Sequence, residues 1–189
     1  MYSKEGDRGP QTPFLLTTSW DDGHPLDLRI AELLTKYGLR GTFYVPLYNS
    51  RPTMSPAQIR ELAGSFEIGA HTITHPILAR LDPSAAREEI MGSKRVLEQT
   101  LGHPVRWFAY PNGRPEADYT REHVHMVREA GYEAAVSTAI GAASAASDLF
   151  ELPRFTPWSH VPLRFDLSMA RNLWRSRALQ ASAPGAAQP

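Results

Sequence analysis

The stretch Thr17-Thr-Ser-Trp-Asp-Asp-Gly23 is the starting point for predicting the fold of this chain. It continues an apolar run, Phe14-Leu-Leu16, so it predicts a buried strand that ends in two adjacent carboxylates, Asp21 and Asp22. Polar side chains in that position lie at the C-terminal edge of a parallel sheet, where ligands bind in such folds. The acid pair is a weak signal by itself, because an Asp-Asp-Gly turn also suits the start of a helix.

Strand-like and helix-like segments alternate along the rest of the chain. We predict six strands, over 14–20, 41–47, 66–70, 105–110, 133–138 and 149–155. We predict helices over 25–37, 83–101, 119–130 and 165–179, and a short helix that begins at Ser55. Val96 is among the residues that we expect to be buried on the helix over 83–101. This alternation predicts an α/β protein with a parallel sheet and right-handed crossovers. The acid pair, His71 and Pro111 to Gly113 all follow predicted strands directly, so we expect them at one end of the sheet.

The length and composition favour a single globular domain. At 189 residues the chain can bury a sizeable core, and we expect a poorly ordered leader over 1–13, a domain over 14–180 and a disordered tail over 181–189. The N-terminus is polar and no run is long enough to span a bilayer, so we expect neither a signal peptide nor a membrane span and assign a cytoplasmic location.

The charge balance and the missing cysteines restrict the chemistry. Lys plus Arg and Asp plus Glu both total 20, which disfavours binding to nucleic acid or to an anionic membrane. The sequence contains no cysteine, so disulfides and thiolate chemistry are excluded, and a metal site must use histidines and carboxylates.

The stretch His71-Thr-Ile-Thr-His75 supplies such histidines. Their spacing of four puts both imidazoles on one face of a helical turn, as binding of one metal ion requires. Taken alone, two histidines at this spacing bind no metal about as often as they bind one. A carboxylate at the end of a neighbouring strand makes metal binding the favoured interpretation. Two histidines and one aspartate leave a coordination position open, which is the catalytic arrangement. Because neighbouring residues at a strand end point to opposite sides, one aspartate could bind the metal while the other acts as a general base.

These residues resemble the motifs of a known family. Ser19-Trp-Asp-Asp-Gly23 is similar to the first motif of polysaccharide deacetylases, the NodB-homology domain or carbohydrate esterase family 4. His71-Thr-x-x-His75 matches the second motif, and Phe108-Ala-Tyr-Pro-Asn-Gly113 resembles a variant of the third. The order and spacing of the motifs agree, and the resemblance covers about 14–155.

The resemblance implies a distorted (β/α) barrel of about seven strands that removes an N-acetyl group from an acetylated amino sugar in a poly- or oligosaccharide. It implies that Asp21 is the catalytic base and that Asp22, His71 and His75 hold one divalent metal, with zinc first and cobalt or another transition metal as alternatives. It places Tyr110, Pro111 and Asn112 in the substrate groove, with a backbone N–H near Asn112 on the oxyanion. Trp158 could add an apolar wall for the acetyl methyl group or a sugar face.

The chain departs from the family pattern at two places. Where the third motif carries an arginine that orients the catalytic aspartate, this chain has Ala109, and we expect Arg154 to replace it because Arg106 and Arg114 are less well placed. The late Leu-x-His that supplies a general acid has no match after residue 103. His24, directly after the first motif, and His160 are the candidates for this role. His24 could instead be a helix-start residue, and we expect His123 and His125 at the surface.

Two alternatives to a sugar deacetylase stay open at this point. One is a degenerate homologue that binds metal and glycan without turnover, which the changed third motif and the missing late histidine suggest. The other is a hydrolase that cleaves a C–N bond in a non-sugar linear amide, because the same fold serves both activities.

Overall fold

The computed structural model describes residues 16–155 of the chain. It also describes six helical positions further along, 164, 167, 168, 170, 171 and 174. Residues 16–155 form six strands and four α-helices. The strands are β1 (Thr18–Trp20), β2 (Gly41–Val45), β3 (Glu67–Ala70), β4 (Trp107–Ala109), β5 (Ala134–Ile140) and β6 (Leu152–Arg154). The helices are α1 (Asp27–Lys36), α2 (Pro56–Ala63), α3 (Pro83–Leu101) and α4 (Arg121–Glu129), with a 3₁₀ turn at Leu78–Arg80.

The sheet is parallel throughout and its spatial order is the order of the chain, β1-β2-β3-β4-β5-β6. It curls into part of a barrel, which confirms the predicted α/β fold, with six strands in the described residues against about seven expected. The side chain of Arg154 on β6 reaches Ser19 on β1, since its Nη1 donates to the Ser19 hydroxyl at 3.1 Å. The two edges of the curled sheet therefore approach each other at the end where the strands finish.

The helix starts follow from local sequence. Ser55 caps α2 in a reciprocal capping box with Gln58, whose side chain accepts from the Ser55 N–H at 2.8 Å. The Asp82 carboxylate caps α3 by accepting from two backbone N–H groups. The same helix ends at Gly102, which adopts a left-handed φ of 76°. Both caps and the bounds of α3 match the prediction.

The buried side of α3 differs in part from the prediction. Ile90 and Leu97 are buried as expected, but Val96 is exposed, and Gly92 and Ser93 are buried instead. The buried face of α3 is formed by Ala86, Ile90, Ser93 and Leu97, which are spaced three or four residues apart. Val96 does not lie on that face and is therefore exposed.

The edge strand β6 is shorter than predicted. Pro153 lies in the middle of it and has no N–H to donate, which is tolerated because β6 is an edge strand of the sheet that residues 16–155 form. The expected leader and tail, most of the predicted last helix, Trp158 and His160 all lie outside the described residues. Among the helices of the described part, none has the length and apolar character that a membrane crossing needs.

Candidate functional site

Three predicted metal ligands meet where β1 and β3 end. Asp22 lies in the turn after β1, and His71 and His75 lie in the loop after β3. The Oδ1 of Asp22 is 3.1 Å from the Nε2 of His75 and 3.7 Å from the Nε2 of His71. One donor atom from each residue lies within 4.8 Å of the other two. The parallel sheet therefore gathers residues from distant parts of the sequence at one point.

His71 is oriented by a hydrogen bond from its other ring nitrogen. The side chain is buried, and its Nδ1 donates to the carbonyl of Ala109 on β4 at 2.7 Å. Because a carbonyl oxygen only accepts, the ring proton must be on Nδ1. The Nε2 is then the ring nitrogen that faces Asp22, and in the neutral imidazole it is free to bind a metal.

The loop between the two histidines is an irregular turn, so the predicted helical turn is wrong. Thr72 and His75 both have left-handed backbones, with φ of 68° and 57°. That conformation is unusual for a β-branched residue such as Thr72 and indicates local strain. The Thr72 hydroxyl stabilises the turn because it donates to the His71 carbonyl and accepts from the His75 N–H at 3.0 Å. The two imidazoles converge through this turn, not through helical spacing.

Glu89 on α3 anchors the same loop and was not predicted from the sequence. Its Oε2 accepts from the backbone N–H groups of Ile73 and Thr74, both at 2.8 Å. Its Oε1 accepts from the Thr74 hydroxyl at 2.6 Å. One carboxylate therefore holds the two residues that directly precede His75, and its charge strengthens all three bonds.

Replacing Glu89 by alanine is expected to lower the affinity for a divalent metal by about 10- to 100-fold, the usual effect of removing a group that positions a ligand. The loop would lose three hydrogen bonds and His75 its fixed position, whereas glutamine at 89 keeps an acceptor and should recover most of the affinity. Titration with zinc or cobalt in a competition assay measures this. Glu88→Ala is the matched control, because Glu88 pairs only with the exposed Arg95 among the described residues. Equal affinities for the two alanine variants would contradict the role of Glu89.

The donor set suits a divalent transition metal. Imidazole and carboxylate ligands lie about 2.0–2.2 Å from zinc, so neighbouring ligand atoms of a tetrahedral site are about 3.3 Å apart. The observed separations of 3.1 and 3.7 Å from Asp22 to the two imidazoles bracket that value. The neighbouring imidazoles of His71 and His75 outweigh partial burial and hold the pKa of Asp22 well below its ordinary value, so the carboxylate is ionised at neutral pH.

Asp21 lies beside the cluster and is paired with Arg154. The guanidinium donates from Nη1 and Nη2 to the two carboxylate oxygens, both at 2.8 Å, and from Nε to the Ser137 carbonyl at 2.9 Å. The resemblance implies that an arginine at position 109 would orient Asp21. In this chain Arg154 on β6 makes that contact instead. Both side chains are mostly buried, with 28% of Asp21 and 15% of Arg154 exposed.

The charge state of Asp21 follows from this pairing. Burial alone would raise the pKa of its carboxyl group, but the hydrogen bonds from Arg154 and the field of His71 outweigh it, so the pKa lies below its ordinary value. Asp21 is therefore an ionised carboxylate with a fixed orientation.

The turn that carries both aspartates requires a glycine. Gly23 has a φ of 59°, and a Cβ at this position would lie 2.8 Å from the Val45 side chain. The preceding Asp22 also has a left-handed backbone, with φ of 75°. The tight turn points the two adjacent carboxylates in different directions, one toward the imidazoles and one toward Arg154.

His24 fills the position of a helix-start residue. Its Nδ1 accepts from the Leu26 N–H at 3.1 Å, and its carbonyl accepts from the Asp27 N–H at 2.8 Å. This leaves Nε2 as the nitrogen that can carry a proton, and a catalytic role for His24 stays a prediction. Asp27, the first residue of α1, is buried, and its Oδ2 has no hydrogen-bond partner among the described residues. Burial raises the pKa of its carboxyl group to about 6.

The third-motif segment contributes less surface than expected. Tyr110 is 1% exposed, stacks on Tyr119 at 3.8 Å and donates its hydroxyl to the Phe150 carbonyl at 2.9 Å. The prediction that its side chain lines a substrate groove is wrong, because Tyr110 continues the alternation of Phe108 and points into the core. Pro111 is also buried. Asn112 is exposed, with φ of 59°, and its N–H donates to no other residue within 16–155.

The remaining candidates of the sequence analysis lie away from the cluster. Arg106 pairs with Glu67, and Arg114 pairs with Asp118. His123 is buried, so its predicted surface position is wrong: it is the third residue of α4 and its Nδ1 accepts from the Thr120 N–H at 3.0 Å. The sequence signal for this contact is Thr-x-x-His at a helix start.

Comparisons with known proteins agree with this geometry. The sequence model of the family described as "Polysaccharide deacetylase" matches residues 8–135. The Bacillus subtilis protein YxkH is 28% identical over 152 residues, which are 78% of this chain and 53% of YxkH. A peptidoglycan-N-acetylglucosamine deacetylase of Bacillus cereus is 25% identical over 108 residues, covering 56% of this chain and 38% of that protein. The chain thus spans about half or less of the length of these relatives.

A solved structure has the same fold. The Streptococcus pyogenes deacetylase PplD, in complex with acetate, superimposes with a TM-score of 0.69 and 25% sequence identity, and the match covers 84% of this chain and 68% of that chain. The family match extends over more than half of the 189 residues and includes the turn with Asp22 and the loop with His71 and His75. The chain belongs to the polysaccharide deacetylase family.

Proposed function

We propose that this chain is a metal-dependent hydrolase that removes the N-acetyl group from an acetylated amino sugar, and that residues 14–180 form its catalytic domain. The observation that carries the proposal is an oriented, ionised Asp21 directly beside the converging donor atoms of Asp22, His71 and His75. A general base and a metal site with an open position are the two parts that metal-assisted hydrolysis of an unactivated amide needs.

The family supports the proposed substrate class. The similar protein of Bacillus cereus is named for deacetylation of N-acetylglucosamine in peptidoglycan, and PplD is a deacetylase seen with acetate. An acetylated amino sugar in a poly- or oligosaccharide is therefore the substrate that we assign to this chain.

The metal site suits zinc first, with cobalt or another transition metal as substitutes, because its donors are two imidazoles and one carboxylate. A bound divalent ion would polarise the acetamide carbonyl and lower the pKa of the attacking water to roughly 7. Asp22, His71 and His75 would hold it.

Asp21 accepts the proton of the attacking water in this proposal. Arg154 occupies one direction at each carboxylate oxygen, so the remaining lone pairs are left for the water. Because the guanidinium also lowers the pKa of Asp21, the group is in its basic form throughout the neutral range, and it takes up the proton only as the water is converted into a nucleophile.

Two further groups complete the reaction. The Asn112 N–H is the donor proposed for the oxyanion, and losing one such donor costs about 3–4 kcal/mol in a known enzyme. The leaving nitrogen must be protonated, and His24 is the candidate within the described residues because its Nε2 is not engaged by the helix-start contact. His160 is the other candidate, and Trp158 is the proposed apolar wall.

Asp21→Asn is expected to lower acetate release from an N-acetylated chito-oligosaccharide by about 10²–10⁴-fold, the range for loss of a general base, while bound metal is retained. Asp118→Asn is the matched control, because Asp118 is also a buried aspartate paired with an arginine but lies outside the site. Acetate release is measured with zinc- and cobalt-loaded protein.

If the wild-type protein bound metal but released no acetate, the degenerate homologue would be favoured. Activity only on simple linear amides would favour the non-sugar hydrolase.

A further inference from the structure

A cationic side chain lies at the mouth of the site and has no part in the proposed reaction. The Nη1 of Arg51 is 3.9 Å from the Oδ2 of Asp22, the carboxylate oxygen that faces away from the imidazoles. Arg51 is 75% exposed, whereas Arg154 is mostly buried. A separation of 3.9 Å is an ion contact and too long for a hydrogen bond, so the donors of the Arg51 guanidinium are available to a ligand.

The backbone holds Arg51 in this place. It lies in the connection between β2 and α2, and this loop is bound to both turns that carry the metal ligands. On one side of Arg51, the Tyr48 N–H donates to the Ile73 carbonyl at 2.7 Å. On the other side, the Met54 N–H donates to the Gly23 carbonyl at 2.8 Å. The loop is therefore fixed at both ends next to the site, and Arg51 is at the part that faces solvent.

The charges around the site favour an anionic ligand. Arg154 offsets Asp21, and Arg51 offsets Asp22, so the four side chains together are neutral. A bound divalent ion would add two positive charges, against which stand Glu89 and, when it is ionised, Asp27. Asp27 is buried and Glu89 is engaged by the backbone of the loop, so the exposed Arg51 guanidinium is the charged group at the mouth that a substrate can contact directly.

We propose that Arg51 is a specificity-determining residue that binds a carboxylate of the substrate, so that the site prefers acetylated amino sugars that carry a carboxylate over neutral ones. This inference rests on the proposed function and names its substrate class more closely. The planar guanidinium pairs with a carboxylate through two parallel hydrogen bonds, which a neutral hydroxyl group does not offer.

The test compares matched substrates. N-acetylated chitotetraose is the neutral substrate, and the same oligosaccharide oxidised to the carboxylate at C6 is the anionic one. A glycan that contains N-acetylmuramic acid presents the carboxylate on a lactyl group instead, so the two anionic substrates show which carboxylate is bound. The variant is Arg51→Gln, and Arg60→Gln on the exposed side of α2 is the control.

We expect the wild-type protein to prefer at least one anionic substrate by about two- to fivefold in kcat/KM, the range for an exposed ion pair. The preference should fall to about one in Arg51→Gln, stay unchanged in Arg60→Gln, and weaken when the ionic strength rises to about 0.5 M. An unchanged preference in Arg51→Gln, or equal rates for neutral and anionic substrates in the wild-type protein, would overturn the proposal.

A binding measurement separates this inference from the proposed function. Calorimetric titration of zinc-loaded Asp21→Asn protein with the neutral and oxidised tetrasaccharides needs no turnover. Tighter binding of the oxidised form that disappears on adding Arg51→Gln supports the role of Arg51 even if no acetate is released by the wild-type protein. Equal affinity for both forms, or binding of neither, counts against it.

Discussion

Replacing Arg154 by alanine is expected to lower the proposed deacetylation by about 10²-fold or more, because a misplacement of about 1 Å costs Asp21, the proposed general base, that much rate. Asp21 would lose both hydrogen bonds that fix its oxygens, while its position beside the metal ligands would stay the same. The rate of acetate release at saturating substrate measures this effect, and the loss should appear in kcat.

The same substitution is expected to destabilise the fold by about 3 kcal/mol, near the lower end for breaking a buried ion pair because both groups keep some exposure. It leaves the Asp21 carboxylate partly buried without its partner and the Ser137 carbonyl without its donor. Arg154→Lys should fall between wild type and alanine, since an ammonium group holds one point and not two oxygens. Arg114→Ala, which breaks a similar aspartate pair with a much more exposed arginine, is the control.

The pH dependence of stability gives a second readout of this pair. Asp21 has a pKa lowered below its ordinary value of 3.8 in the folded state. Its contribution is therefore fully present above that ordinary value and is lost as the pH falls through the lower folded value. The difference in the free energy of unfolding between wild type and Arg154→Ala should be constant near neutral pH and shrink on acidification, starting at the pH where the unpaired, partly buried Asp21 of the variant takes up a proton, which burial moves above its ordinary pKa. A difference that grows on acidification would contradict the ion pair as its cause.

Removing either histidine is expected to weaken metal binding strongly, but with different effects on the fold. Each ligand of a four-ligand zinc site supplies about a quarter of roughly 10–16 kcal/mol, so losing one should weaken affinity by about 10²–10³-fold. His71→Ala should also cost about 2–4 kcal/mol of stability without metal, because a buried ring and its bond to the Ala109 carbonyl are lost. His75→Ala should cost less than about 1 kcal/mol, since its side chain is partly exposed.

Metal affinity and denaturant unfolding of the metal-free variants measure the two effects separately. His75→Ala is the informative variant if His71→Ala does not fold, because it removes a ligand with little change in packing. Metal binding at wild-type affinity in His75→Ala would contradict the assignment of the site. Equal destabilisation by both substitutions would contradict the structural role of the His71 ring.

The sequence predicted those parts of the site that depend on strand ends and short motifs. The position of the acid pair and of His71 after strands was enough to expect them together, because the carboxyl ends of parallel strands share one edge. The choice of Asp22 as the metal ligand came from the family resemblance. The contact of Arg154 with Asp21 was expected only because the third motif lacks its arginine. Its bidentate geometry depends on how far the sheet curls, which no local pattern encodes.

The parts that the sequence did not predict depend on tertiary packing. Glu89 lies next to the buried Ile90 on α3, and a carboxylate beside a buried helix face needs hydrogen-bond donors. Nothing in the sequence identifies the loop that supplies these donors. Tyr110 was assigned to the groove from its motif, while the alternation from Phe108 already indicated the core. Arg51 was not singled out because a loop arginine has no distinguishing pattern.

The contact between β1 and β6 has a consequence for synthesis of the protein. Asp21 and Arg154 are 133 residues apart in sequence, although they are in direct contact in the fold. At a translation rate of about 5–20 residues per second, Asp21 leaves the ribosome on the order of ten seconds before its partner. During that interval the nascent chain cannot bury the carboxylate against its counter-ion, so the end of the sheet that carries it must stay hydrated. A chain that stops before β6 would lack the guanidinium that orients Asp21, the proposed general base.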